Sequence, residues 1–337
     1  MKRRFHVFVV LLAALAVLVP GTAARPADAQ QAVTLRIATL APSGSSWMRV
    51  FNAWNNSLRQ RTGNRLQLRF YPGGVAGDER DAIRKMRAGQ MDGAAVTSLG
   101  LGQVVRPVLV LQLPGLFERY NQIDTVRTQL AGEFETQFET AGFKLLGWGD
   151  AGQARIFSHR PIVTPSDLRQ TRIWAWRDDP IFNEFLHVIG ANGVNLGVPE
   201  VYTGLQTNRI DAFPSSALAA VALQWFTRAT HVTRQSDGVL VGATILKKER
   251  FDTLPEDLRT ALLETSRQAH EALMRTIRRD DDRAFQTITQ HGVTAVDTSA
   301  HRAEWQRAGQ QTRQRLSGRL YPAALLTRVE QIAGSAH

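Results

Sequence analysis

Apolar Leu66, Leu68 and Phe70 alternate with Gln67, Arg69 and Tyr71, the period of a half-buried strand. An earlier apolar run over 35–39 reads as a first strand. Between them Val50, Phe51, Trp54 and Leu58 recur at helical spacing from Trp47 until Gly63 marks an exit. The turn Pro72-Gly73-Gly74 follows, then a short helix over 78–88 closed by Gly89 and a strand over 91–98. Strand, helix, strand, helix, strand in that order predicts a parallel sheet with right-handed crossovers. A helix over 121–141, carried by Ile123, Val126, Leu130, Phe134 and Phe138, leads to a strand over 143–148.

The stretch from Gly152 to Ser216 organises the rest. It opens with the strand Ala154-Arg155-Ile156-Phe157, turns at His159-Arg160-Pro161-Ile162, and passes Thr164-Pro165-Ser166-Asp167-Leu168 into a second strand, Arg172-Ile173-Trp174-Ala175-Trp176. A helix, a short strand and a segment over 199–213 complete a βαβα succession with little spare loop. That succession predicts a compact α/β lobe with a strand face open to a ligand. Beyond it, residues 239–247 read as a long strand returning to the first lobe. Pro255 then opens the longest helical pattern, with Leu258, Leu262, Ala269, Leu273, Ile277, Ala284 and Ile288 on one face until His291-Gly292. Such a helix measures about 50 Å, more than one lobe needs, so it is expected to span both. A late strand over 293–296 and outer helices over 300–316 and 321–332 end the pattern.

Composition narrows the class. Lys2, Arg3 and Arg4 precede an apolar run from Val7 to Val19, and small residues follow at Ala27-Asp28-Ala29. This predicts a secretory signal over 1–29, cut after Ala29, with an uncleaved anchor as the alternative. The run is too short to span a bilayer comfortably. The mature chain is then expected in the periplasm. Cysteine is absent, so no disulfide contributes and packing alone must stabilise an exported chain. The formal net charge is +11, but the arginines are interspersed with acids, as in Asp78-Glu79-Arg80-Asp81. No basic tract, zinc spacing or RNP-like motif accompanies them, and no nucleic-acid partner is expected.

No Gly-x-Ser-x-Gly, His-Glu-x-x-His, Walker sequence or cysteine nucleophile is present. Gly100-Leu101-Gly102 lacks the third glycine and ribose-reading acid of a nucleotide loop. The histidines are dispersed, without ligand spacing. The chain is therefore read as a binder, not an enzyme, with neither cofactor nor metal; an exported enzyme using the same cleft is the rival from another class. Arg155, on a strand, either forks onto a carboxylate or pairs with Asp150 or Asp178. Trp174 and Trp176, two apart on one strand, share a face and either wall a cleft or fill a core. Ser43 and Ser45 either favour an anion at a helix start or cap it.

Several segments in order carry a family resemblance. They are Tyr71-Pro72-Gly73-Gly74-Val75-Ala76-Gly77-Asp78-Glu79-Arg80, Arg87-Ala88-Gly89-Gln90-Met91-Asp92-Gly93-Ala94, Leu113-Pro114-Gly115-Leu116-Phe117, the Pro-x-Asp-Leu turn with its strand, and Val201 to Asp211. Together the chain resembles the DctP-type solute-binding proteins of tripartite ATP-independent periplasmic (TRAP) transporters. The resemblance implies a two-lobed α/β binding protein with mixed sheets, a cleft between the lobes and a long connecting helix. Lobe I is expected over 32–152 plus 240–275, and lobe II over 153–239 plus 276–332. It implies a small organic acid as solute, an inner-membrane TRAP permease as partner, and Arg155 helping to hold the carboxylate. The family strand usually reads Lys-Ile-Arg-Val, its Arg being the clamp; here that place is Trp174. This favours, as an alternative, a more hydrophobic or aromatic solute and a tetratricopeptide-repeat partner. Where the family commonly supplies an Asn, Phe213-Pro214-Ser215-Ser216 stands. The expected solute-binding residues are Arg155, Trp174, Trp176, Phe213 and Ser215 from lobe II. From lobe I they are Ser43, Ser45, Trp47, Glu79 and Ser98.

Overall fold

A single strand of sixteen residues, Phe143–Ser158, joins the two halves of the sheet. The computed structural model describes residues 32–336; the expected signal segment lies outside them. The ten strands are β1 (Val33–Thr39), β2 (Leu66–Tyr71), β3 (Gly93–Thr97), β4 (Phe143–Ser158), β5 (Ile173–Trp176), β6 (Gly193–Leu196), β7 (Ala212–Ser215), β8 (His231–Thr233), β9 (Gly238–Lys247) and β10 (Thr294–Val296). Their order is β2-β1-β3-β9-β4-β7-β5-β6, with β8 beside β4 and β10 beside β8. The expected parallel set is present as β2-β1-β3, and β9 closes it antiparallel against β3.

The strands expected over 143–148 and 154–157 are one. From Phe143 to Ala154 β4 pairs with β9, and from Arg155 to Ser158 it pairs with β7. Register shifts at Leu145/Gly147 and Asp150/Gly152 bend it between those partners. Gly152 permits the second bend: at φ +110°, a Cβ there would lie 2.6 Å from Ser216 Cβ and 2.7 Å from Asp281 Cγ. The helix expected over 121–141 is two, Tyr120–Gln129 and Ala131–Thr140, broken at Leu130.

The longest helix, Glu256–Gln290, begins after Pro255 as the pattern predicts. Its buried face carries Leu258, Leu262, Leu273, Ile277, Ala284 and Ile288. It packs on the helix Ser46–Arg61, on β4 and on the helix Ala217–Ala222, so it touches elements of both half-sheets. Phe51, Trp54 and Leu58 of Ser46–Arg61 meet it in one apolar cluster, and Trp54 donates its indole N–H to Thr265 over 3.2 Å. Among the described residues, no helix is long and apolar enough to cross a membrane.

Candidate functional site

Where the half-sheets meet, residues of both line a cavity of about 600 Å³. β1 and β3 contribute Thr39 and Ala95; β4, β5 and β7 contribute Arg155, Trp174, Trp176 and Ser215. Thus the bend in β4 sets the site, because Arg155 is the first residue beyond its change of partner.

Arg155 is 7% exposed. Its Nη2 donates to Gln153 Oε1 over 2.7 Å, Nη1 lies 3.6 Å from Asp281 Oδ2, and the guanidinium sits 4.5 Å above the Phe285 ring. Its buried Nε–H donates to no described residue. Burial lowers its pKa and the Asp281 charge opposes that shift. Asp281, raised by burial, accepts the amides of Gln153 and Leu218, each over 2.9 Å. The expected ion-pair partners of Arg155 are engaged elsewhere. Asp150 lies 2.5 Å from Arg127 Nη2 and 2.7 Å from Arg278 Nε, while Asp178 pairs with Arg80 over 3.0 Å. Asp150 precedes the β4 bend and Arg155 follows it, so the two side chains serve different neighbours.

Trp174 is both wall and core. It is 4% exposed, donates Nε1–H to the Leu196 carbonyl over 3.0 Å, and meets the edge of Trp225 with centroids 5.3 Å apart. Trp176 lies beside it at 5.9 Å and donates to Asp78 Oδ2 over 3.0 Å. Trp47 also lines the cavity and donates to the Asp150 carbonyl over 3.1 Å. Glu79, 4% exposed, accepts Thr97 N over 2.7 Å, and Thr97 Oγ1 and Gly100 N over 2.8 Å each. Burial pushes it up to about 7. A Cβ on Gly100 would lie 2.9 Å from Glu79 Oε2, so the first glycine of the Gly-x-Gly pair serves this contact, while the second, Gly102, packs against Leu109.

Four expected residues stand outside the cavity wall. Ser45 caps the helix Ser46–Arg61 by accepting Met48 N, and Ser43 is exposed. Ser98 is buried and donates to Gln112. Phe213 stacks on Phe157 at 5.0 Å, inside the apolar core. Protein partners thus take up Ser45, Ser98 and Phe213, while Ser43 faces solvent.

The structure adds residues that the pattern did not single out. Asp179, 8% exposed, lines the cavity and caps the helix Pro180–Ile189: Oδ1 accepts Ile181 N over 2.9 Å and Phe182 N over 3.0 Å. Its Oδ2 accepts from no described residue; burial pushes the group up to about 6. Asp237, between β8 and β9, is half-buried and also lines the cavity, and its carboxylate accepts no hydrogen bond from a described residue. Burial pushes it up to about 7, against the pull of Arg313. Asp179-Pro180 is a legible helix start, but nothing in the sequence says that it faces a cavity. His270 lines the wall with both ring nitrogens used: Nδ1 donates to the Ser266 carbonyl and Nε2 accepts from Thr244, each over 2.8 Å. Among the described residues no group of three His, Asp or Glu is placed to hold a metal ion.

The sequence from 37 to 318 matches the model of the DctP family, bacterial extracellular solute-binding protein, family 7. The 2,3-diketo-L-gulonate-binding periplasmic protein of Escherichia coli (strain K12) is 23% identical over 300 residues, 88% of this chain and 91% of the relative. The C4-dicarboxylate-binding periplasmic protein of Rhodobacter capsulatus is 22% identical over 249 residues, 73% and 74% of the two chains. Among solved structures, the sugar acid binding protein of Advenella mimigardefordensis in complex with galactonate superposes with a TM-score of 0.86 at 14% identity. That likeness covers 91% of this chain and 99% of the other. A TRAP periplasmic solute binding protein of Roseobacter denitrificans with bound β-D-glucuronate gives 0.82 at 19% identity, over 90% and 100%.

Proposed function

Because the chain belongs to family 7 of the bacterial extracellular solute-binding proteins, we propose that its cavity captures a small organic acid in the periplasm for a TRAP-type membrane permease. The observation that carries this reading is one cavity walled by both half-sheets, with the buried Arg155 in its lining. A ligand touching both walls favours a closed state by its differential affinity. The relatives named above for 2,3-diketo-L-gulonate and C4-dicarboxylates support an acid as cargo.

The lobes are proposed as 32–152 plus 240–275 and 153–239 plus 276–332. Supporting this division, β4 exchanges β9 for β7 at Ala154/Arg155. The hinge then lies where β4 and β9 cross between halves. The apolar walls, with Trp47, Trp174, Trp176 and Trp225, favour an acid with a bulky or aromatic body. A tetratricopeptide-repeat partner rests on the Trp at position 174 alone, and export on the expected signal segment.

Mass spectrometry of the solvent extract from protein purified from its native host tests the reading. An organic acid that rebinds stoichiometrically is expected. A protein that yields no small molecule and binds no acid in calorimetry is not a solute carrier.

A further inference from the structure

We infer that the solute of this cavity carries a protonated amine, which Asp179 holds against aromatic walls. The inference rests on the solute-capture reading and narrows its cargo.

The charges of the lining lead there. Asp150 is matched by Arg127 and Arg278, Glu118 by Arg302, and Glu79 by amide and hydroxyl donors. Among the described residues, Asp179 and Asp237 have no cation in contact, and each has a carboxylate oxygen without a donor. The cations of the wall do not offset them: Arg155 faces Asp281, Arg302 faces Glu118, and Arg234 is exposed near Asp297. A carboxylate withdrawn from water without a counter-charge is costly, and that cost falls when a bound cation supplies the charge. Burial raises the pKa of both groups, and of the two only Asp237 feels the opposing pull of an arginine, Arg313.

The walls suit such a cation. Trp174, Trp176 and Trp225 form a cluster with centroids 5.9 and 5.3 Å apart, and Phe182 lies beside Asp179 in the lining. Aromatic faces attract ammonium groups, most strongly when these are desolvated. An arginine at 174 would repel an amine at close range; the tryptophan there attracts it. Arg155 remains available for a carboxylate on the same solute.

The test uses matched pairs of carboxylates, with and without a cationic nitrogen, such as 4-(trimethylammonio)butanoate against its carbon isostere 5,5-dimethylhexanoate, and 4-aminobutanoate against pentanoate. Glucuronate serves as a sugar-acid control. Binding is read by calorimetry, alongside mass spectrometry of the solute extracted from the protein purified from its native host. The nitrogen-bearing member is expected to bind at least tenfold more tightly, or the extracted solute to contain a basic nitrogen. Asp179→Asn, which keeps an oxygen for the helix cap, should erase most of that preference while lowering the isostere's affinity far less; Asp237→Asn should keep the preference, and its loss there instead would overturn the assignment to Asp179. A purely structural role for Asp179 would weaken both members alike, and that result would overturn its assignment. An extracted solute without basic nitrogen, or tighter binding of the isosteres or glucuronate, overturns the amine while leaving solute capture standing. No extracted solute and no binding at all defeats the capture reading itself.

Discussion

Trp176 Nε1 donates to Asp78 Oδ2 over 3.0 Å, joining β5 to the start of the helix Glu79–Arg87. The same oxygen accepts Val198 N over 3.0 Å, and Arg80 pairs with Asp178 nearby. Asp78 also caps its own helix through Oδ1. One carboxylate therefore ends a helix in the first half and ties down two elements of the second. If a solute is held by closure of the two halves, this tie belongs to the closed state.

Trp176→Phe keeps an apolar ring and removes the donor. A lost hydrogen bond to a charged group corresponds to about 1.5 to 3 kcal/mol, so the solute should leave roughly tenfold faster or more. Stopped-flow displacement measures this. An unchanged off-rate would show that the tie does not hold the bound state.

Trp174→Arg places a guanidinium in the cavity wall. Affinity for small carboxylates such as succinate should rise in calorimetry, and affinity for a cationic solute should fall. Loss of the Trp225 contact will cost about 3 kcal/mol of stability or more. A folded variant with no gain for small acids would assign Trp174 to the core alone.

Arg155→Ala removes the counter-charge of Asp281, a group with no exposed side-chain surface. Breaking a buried pair from one side costs about 3 kcal/mol. Urea denaturation should show that loss, and Arg155→Ala with Asp281→Asn should recover part of it. If the physiological acid binds the double variant as well as the native protein, Arg155 is not its clamp.

His270 is buried, and burial depresses its pKa from 6.5 to about 4. Between those values the unfolded chain binds a proton that the folded chain refuses. Its contribution is therefore complete above pH 6.5 and is lost as the pH falls toward 4, by about 3 kcal/mol. The stability difference between native protein and His270→Gln, followed by urea denaturation from pH 8 to 4, should shrink by that amount. A difference independent of pH would mean that His270 titrates normally.

Most elements were legible because their patterns are local. The alternation at Leu66, Leu68 and Phe70, the apolar stripe from Leu258 to Ile288 and the Pro255 start all depend on neighbours along the chain. The break at Leu130 was not legible, since the apolar spacing of Ile123 to Phe138 continues through it. The union of two expected strands into β4 also lay beyond the pattern: Gly147 falls inside the strand expected over 143–148, but Gly149 and Gly152 separate it from the strand expected over 154–157. Their purpose is packing, because a Cβ on Gly147 would strike His270 and one on Gly152 would strike Asp281.

By itself the sequence determined most of the strands and helices, the parallel start of the sheet, the long helix and the family resemblance, all carried by residues near one another in the chain. The tertiary structure decided the site. Whether Arg155 pairs with Asp150 or Asp281, whether Ser98 or Gln112 reaches the cavity wall, and whether Asp179 merely caps a helix depend on side chains that meet from distant segments. Periodicity reports which face of an element is apolar. It does not report which charges share a cavity, and that is set by how β4, bent at Gly152, brings two half-sheets against one long helix.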